Sequence, residues 1–350
     1  MVRTPTATAL TSGTAGLVAF PTETVYGLGA NALDPVALRQ VFAFKGRPMS
    51  DPLIVHVTDA AWAASLLDLD SQLKRDVFHA LAREFWPGPL TMVARARVKA
   101  FSSMDNIQVL SASSGMIGVR VPEHPVARAL IAHAKVPVAA PSANRFGHVS
   151  PTCAAHVLED LGASPILIVD GGNCRVGIES SVVEIANAES GGAVVLHRRG
   201  GVSQDKLAAV LARFNLRVEA ASKKAKAHEA AVAPGQLLTH YAPDVETYLS
   251  APESASAPLP VPLAGCVIVD FGGQFASVRS DAMAYRDLSV SGDAREACAA
   301  LFDALRWTET VPGATAVVLP DVRAAQRNVE DAPALADRLF RAASGRLVRV

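Results

Sequence analysis

Short apolar runs, most of them stopped or started by a proline or a glycine, recur along the first part of the chain and predict buried strands. Leu17 to Phe20 halts at Pro21. Leu53 to Val57 follows Pro52, and Leu90 to Ala94 restarts the chain after the break at Trp86-Pro87-Gly88-Pro89. Ile117 to Val121, Val136 to Ala140, Ile166 to Val169, Val182 to Ile185 and Val194 to Leu196 read the same way. Between them the apolar positions take helical spacing. Asp34 is a candidate N-cap ahead of Pro35, which suits a first helical position, and Val36 to Phe44 continues that helix. Leu73 to Phe85 and Pro125 to Ala134 predict two more helices, and Ser150-Pro151-Thr152 reads as a helix start leading to Leu161. Strands and helices mixed in this way predict an α/β unit.

The pattern changes between about Ala220 and Ala233. Ser222 to His228 is small and charged, without an apolar face, and reads as an exposed linker. Gly235 to Pro243 is different, because it carries Leu237, Leu238 and Tyr241; it is expected to act as a lid over the active site. Beyond the Pro-rich loop Ala251 to Pro262, strands at Val267 to Val269 and Val317 to Leu319 flank an amphipathic helix from Ala294 to Arg306, and Ala334 to Ala343 predicts a terminal helix. Strand–helix–strand order implies a parallel layer. The expected division is a catalytic domain over 1–218, a linker and lid over 219–244, and a smaller domain over 245–350.

Composition narrows the function classes. At 350 residues and 50% hydrophobic, the chain can bury more than one core. The 33 Lys and Arg balance the 33 Asp and Glu, so no global field draws nucleic acid or an anionic membrane, although a local basic pocket stays open. Cys153, Cys174, Cys266 and Cys298 lie far apart and form no CxxC pair, which argues against structural zinc and a disulfide framework. Met1 to Leu10 has no apolar stretch of signal-peptide length, and no run approaches a membrane span. A reduced, cytoplasmic setting is expected.

Several segments could carry chemistry. Lys45-Gly46-Arg47-Pro48 is either a solvated helix C-terminus, where cations suit the dipole, or a phosphate clamp in which Arg supplies a planar fork and Lys a compact charge. Pro21 to Gly29 sets two threonines, a carboxylate and a phenol between a strand and two glycines; it is a cleft lining or an ordinary turn with its glycines at positive φ. Ser142, Asn144, Ser150 and Thr152 form a polar patch in which Ser150 could cap a helix, bind phosphate, or both. Asp170-Gly171-Gly172 and Gly177 to Ser181 are glycine-rich and polar but lack Walker A spacing. His197-Arg198-Arg199-Gly200 adds basic groups after a strand, and His56 sits within one. No Ser-His-Asp order or HExxH helix stands out.

These segments also carry a resemblance. PTETVYGLGANA (Pro21–Ala32), KGRPMSDPLIVHV (Lys45–Val57), WPGPLT (Trp86–Thr91), GVRVPEHP (Gly118–Pro125), APSAN (Ala140–Asn144), SPT (Ser150–Thr152), DGG (Asp170–Gly172) and GIESSVV (Gly177–Val183) occur in one order, which resembles that of the YrdC-like threonylcarbamoyl-AMP synthases. HYAP (His240–Pro243) and the trailing strand–helix–strand unit resemble the two-domain form of that family. The resemblance implies a YrdC-like twisted mixed sheet with helices, plus a smaller C-terminal Rossmann-like parallel α/β domain. It implies a nucleotidyltransferase that makes threonylcarbamoyl-AMP and pyrophosphate from ATP, L-threonine and bicarbonate, with Mg2+ accompanying the ATP. A downstream tRNA threonylcarbamoyl transferase complex would use the product, and direct tRNA binding is left open.

By family position, Thr22, His56, Arg120 and Ser180 or Ser181 would hold threonine, Arg120 taking its carboxylate in a fork. Lys45, Arg47, Ser142, Asn144, Ser150, Arg198 and Tyr241 would line the nucleotide, with Lys45 and Arg47 as the catalytic pair. The chain departs from the family at Asp51, Met116, Phe146-Gly147 and His197-Arg198-Arg199-Gly200; an aspartate beside a phosphate would repel it unless a metal intervened. Two rivals fit less well. A non-catalytic RNA-binding YrdC-like module meets a neutral net charge and no aromatic-rich RNA motif. A hydrogenase-maturation carbamoyltransferase would carry cysteine pairs that this chain lacks.

Overall fold

Continuous apolar runs become strands covered on both faces. In the computed structural model, the run formed by Leu17 and β1 (Val18–Phe20) sends Leu17 and Ala19 into one core cluster and Val18 and Phe20 into another. Because side chains alternate along a strand, only an apolar residue at every position satisfies both layers. The structure describes residues 8–10, 16–186, 188, 192–221, 234, 238–252, 257–323 and 330–350. The expected linker Ser222 to His228 and residues Gly235 to Leu237 of the expected lid lie outside these.

The chain divides into two units. The first comprises Met1–Phe146, Thr152–Arg175 and Glu179–Gln236; the second comprises Gly147–Pro151, Val176–Ile178 and Leu237–Val350.

The first unit is built on β1, β2 (Gly27–Asn31), β3 (Ile54–His56), β4 (Leu90–Arg95), β5 (Met116–Arg120), β6 (Val138–Ala139), β7 (Leu167–Ile168), β8 (Ser181–Glu184), β9 (Ala193–Arg198) and β10 (Arg217–Ala220). They form one mixed sheet in the order β10-β9-β8-β4-β5-β3-β6-β2-β1-β7. Its helices are α1 (Pro35–Lys45), α2 (Ala60–Leu66), α3 (Gln72–Phe85), α4 (Met104–Leu110), α5 (Pro125–Ala134), α6 (Ala154–Leu161) and α7 (Gln204–Leu211). Asp34 caps α1 as expected, accepting from the backbone of Val36 and Ala37, and Gly46 ends the helix in the left-handed region at φ 62°.

Two expectations are corrected here. Ser150 does not start a helix: α6 begins at Ala154 behind Cys153, whose side chain makes no capping bond. Nor do Gly27 and Gly29 sit in a turn at positive φ. They belong to β2, which runs antiparallel to β1 with Phe20 opposite Gly27. A Cβ on Gly29 would lie 2.7 Å from Phe20 Cε1 and 2.9 Å from Val138 Cγ1, so close packing excludes a side chain there.

The second unit is an all-parallel sheet of β11 (Thr247–Ser250), β12 (Ala257–Pro258), β13 (Cys266–Asp270), β14 (Ala284–Asp287), β15 (Ala316–Leu319) and β16 (Leu347–Arg349), ordered β12-β16-β11-β15-β13-β14. The helices α8 (Ala294–Glu309) and α9 (Ala332–Ala342) make its crossovers, as the strand–helix–strand pattern predicts. No helix among the described residues is long and apolar enough to cross a membrane.

Candidate active site

Strand register assembles the first half of the site. β3 and β5 pair in parallel with His56 opposite Arg120, and the Pro21–Tyr26 connection between β1 and β2 delivers Thr22, Glu23 and Thr24. Arg120 is almost fully buried, and each of its three guanidinium nitrogens donates one hydrogen bond: Nε to Gly88 O (3.2 Å), Nη1 to Thr24 Oγ1 (2.9 Å) and Nη2 to Glu23 Oε1 (2.5 Å). The other oxygen of Glu23 accepts from the Glu123 backbone at 3.0 Å. Burial pushes the Glu23 carboxyl upward, but the charge and hydrogen bond of Arg120 outweigh it and hold the group below its usual value. The Thr22 hydroxyl donates to Val25 O at 2.7 Å and lies 2.8 Å from the Thr24 hydroxyl. His56 is buried edge-on against Phe20, and burial with the nearby Arg120 charge drops its imidazole to about 3, so the ring is neutral at working pH.

The second half gathers around the end of α1. The solvated-terminus reading of Lys45 and Arg47 fails, since both are buried. Lys45 Nζ donates to Ser142 O at 2.6 Å and to Asn144 O, tying α1 to the Pro141–Asn144 turn. Burial, reinforced by the Arg47 charge, pushes the Lys45 ammonium well below its ordinary value. Arg47 donates to Asp51 O (3.1 Å) and Pro52 O (2.8 Å), and its Nη2 lies 2.9 Å from Asp51 Oδ2. Burial raises Asp51 against the opposing charges of Arg47, Arg198 and Lys45, which all act on this one carboxylate.

Arg198, at the end of β9, links the second half to the GIESS segment: Nε donates to Ser180 O (3.0 Å) and Nη2 to Ser180 Oγ (3.0 Å). Ser180 Oγ also lies 2.8 Å from Thr91 Oγ1. Ser181 is set apart from this cluster. Its hydroxyl donates to Val202 O (2.5 Å) and accepts from Val202 N (3.1 Å), because consecutive residues of an extended chain face opposite sides.

Ser150 and Tyr241 both belong to the second unit. Ser150 is buried in the Gly147–Pro151 loop, where Val149 O accepts from Arg306 Nη2 at 2.6 Å. Tyr241 is buried too, its ring stacked on Phe302 (centroids 5.3 Å apart) with the Arg338 guanidinium 5.0 Å above it. The residues that sequence reasoning gave no role are Glu23, Thr24 and Thr91. Each stood inside a quoted segment, yet only the fold shows that Glu23 and Thr24 bond Arg120 and that Thr91 meets Ser180.

Comparison with known proteins agrees with this architecture. The family model of the Sua5, YciO and YrdC proteins, described as telomere recombination, matches residues 10–200, and that of the threonylcarbamoyl-AMP synthase C-terminal domain matches residues 202–344. The Pyrococcus abyssi threonylcarbamoyl-AMP synthase is 40% identical over 233 residues, which are 66% of this chain and 63% of that protein. The Bacillus subtilis protein of the same name is 39% identical over 227 residues, 65% of this chain and 61% of that one. These matched stretches therefore span less than two thirds of either relative. The solved structure of P. abyssi Sua5 complexed with L-threonine is similar over 99% of this chain and 95% of that chain, with a TM-score of 0.80 at 31% identity.

Proposed function

This chain belongs to the Sua5, YciO and YrdC family, and we propose that it is an L-threonylcarbamoyladenylate synthase, a nucleotidyltransferase that serves the threonylcarbamoyladenosine modification of tRNA. The observation that carries this reading is the likeness, over nearly the whole chain, to the P. abyssi protein solved with L-threonine. The free threonine amine forms an N–C bond to the carbon of bicarbonate with loss of water, or to CO2 with loss of a proton to solvent, and gives a carbamate. A carbamate oxygen then attacks the α-phosphorus of ATP, and the bond to the β-phosphate breaks, releasing pyrophosphate. The protein need supply no nucleophile, only position and charge.

Thr22, His56, Arg120 and Ser180 would hold threonine. A neutral His56 suits a pocket where an imidazolium would repel the ammonium of the incoming amino acid. Lys45, Arg47, Ser142, Asn144, Ser150, Arg198 and Tyr241 would serve the nucleotide, with the first two facing its phosphates. Mg2+ would arrive on the triphosphate and offset its charge. The two carboxylates whose charge reaches Lys45, Asp160 and Asp51, are already ion-paired, to Arg145 at 3.7 Å and to Arg47 at 2.9 Å, which fits a metal carried by phosphate oxygens better than one held by the protein. The product would pass to a tRNA threonylcarbamoyl transferase complex in the cytoplasm.

The test is incubation with ATP, L-threonine and bicarbonate, following pyrophosphate by phosphorus spectroscopy and the adduct by mass. Release that needs all three supports the reading. Equal release with threonine or bicarbonate omitted would mean simple ATP hydrolysis.

A further inference from the structure

Thr91 is the second residue of β4, fully buried, and is not among the residues proposed to touch threonine or nucleotide. Among the described residues its hydroxyl has one hydrogen-bond partner, Ser180 Oγ at 2.8 Å. Ser180 Oγ in turn receives Arg198 Nη2 at 3.0 Å, a donor that cannot accept. The two hydroxyls thus bring two protons to a contact that uses one. A buried hydroxyl proton without an acceptor is desolvated with nothing to offset the loss. If Ser180 donated to Thr91, the Thr91 proton would be stranded inside the sheet, where no second acceptor meets it among the described residues. If Thr91 donates to Ser180, both sides of the Ser180 oxygen face donors, Arg198 and Thr91, and the Ser180 proton is the one left over.

We infer that Thr91 is a positioning residue that fixes Ser180 as a hydrogen-bond donor, so that Ser180 meets a substrate oxygen, the carboxylate or carbamate of threonine, and never its ammonium. This rests on the proposed threonine-binding role of Ser180. The relay runs Thr91 to Ser180 to substrate oxygen, with Arg198 adding positive potential behind it. Gly118 leaves room for the arrangement, since a Cβ there would stand 3.0 Å from Thr91 Cγ2.

The experiment measures L-threonine and ATP binding to the full chain by calorimetry for the wild type, Thr91→Val, Thr91→Ser, Ser180→Ala and the Thr91→Val/Ser180→Ala double variant. Valine keeps the shape and removes the hydroxyl. Thr91→Val is expected to weaken L-threonine binding at least tenfold and leave ATP binding within twofold, while Thr91→Ser restores the wild-type value. In the Ser180→Ala background, adding Thr91→Val should change threonine affinity less than twofold, because nothing remains to orient. Wild-type threonine affinity in Thr91→Val, or an equal loss with and without Ser180, would overturn the relay. Should Thr91→Val fold poorly, Thr91→Ser alone decides, since a serine that lost threonine affinity at an unchanged melt would equally overturn it. A wild type that binds threonine but releases no pyrophosphate would sink the synthase reading and leave the relay standing.

Discussion

Arg120 and Glu23 form an ion pair of 2.5 Å, Nη2 to Oε1, with both side chains nearly sealed from water. A buried pair is expensive to assemble and more expensive to break, because the survivor is left charged and unsolvated. Glu23→Ala should therefore lower stability by about 3–5 kcal/mol in urea unfolding. The pair also carries a pH signature. The folded-state value of Glu23 lies below the usual 4.5, so its stabilisation is complete above that value and is lost as pH falls through the lower folded value. Wild-type stability should thus drop on the acid side of pH 4.5 more steeply than that of Glu23→Gln; identical acid limbs would show that the pair contributes no linkage.

His56 gives a second window with the opposite chemistry. Its imidazole falls from the ordinary 6.5 to about 3 because burial disfavours the cation. The unfolded chain takes up this proton below 6.5 and the folded chain does not. Stability is therefore fully present above pH 6.5 and declines toward pH 3, by about 1.4 kcal/mol per pH unit. Urea midpoints from pH 7 to 4 should show a slope that is shallower by one proton in His56→Gln. Threonine affinity should not titrate between pH 6 and 8 through this ring; an inflection near 6.5 that vanishes in His56→Gln would contradict its neutrality.

Much of this arrangement could be read from the chain, for identifiable reasons. Asp34-Pro35 and Gly46 bracket α1 because capping is local chemistry. The run around β1 was legible because a strand buried on both faces must be apolar throughout. Elements with little local signal were missed. β2 is mostly glycine and alanine, and its identity as a strand rests on Phe20 and Val138 packing where side chains would otherwise stand. β10, largely exposed at the sheet edge, has no apolar alternation to announce it. In the site, residue types pointed to phosphate and carboxylate chemistry, but commitments did not show. That Lys45 is spent on the carbonyls of Ser142 and Asn144, or Ser181 on Val202, depends on contacts across long sequence separations.

The buried Lys45 ammonium predicts a proton linkage to nucleotide binding. Desolvation holds it well below its ordinary value, and an approaching triphosphate would favour the charged form again. ATP binding should then draw a proton from solution at any pH between the free and bound values. Calorimetry in two buffers of different ionisation enthalpy should reveal net uptake that disappears in Lys45→Met. Lys45→Ala and Arg47→Ala should each slow turnover at least tenfold, a barrier rise of about 1.4 kcal/mol, and Arg47→Lys should rescue incompletely because the fork is lost. Unchanged turnover in both alanine variants would leave these residues as helix-end structure only.

Tyr241 separates two roles that one substitution would confound. The apolar character of Gly235 to Pro243 raised the expectation of a lid, and the described part of that segment is anchored within the second unit. The Tyr241 ring stacks on Phe302 beneath Arg338, the Ala242 backbone donates to Gly147 O at 3.1 Å, and the Asp244 backbone donates to Glu309 Oε1 at 2.6 Å. Removing a buried aromatic ring costs about 3–5 kcal/mol, so Tyr241→Ala should lower the melt of the second unit whatever its part in catalysis. Tyr241→Phe keeps the ring, its stacking and its place under Arg338, and deletes only the hydroxyl. If that hydroxyl serves the nucleotide, Tyr241→Phe should melt like the wild type yet raise KM for ATP several-fold or release the adduct hydrolysed, with KM for threonine unchanged. Normal kinetics in Tyr241→Phe together with an early melt in Tyr241→Ala would confine Tyr241 to the core of the second unit and remove it from the active site.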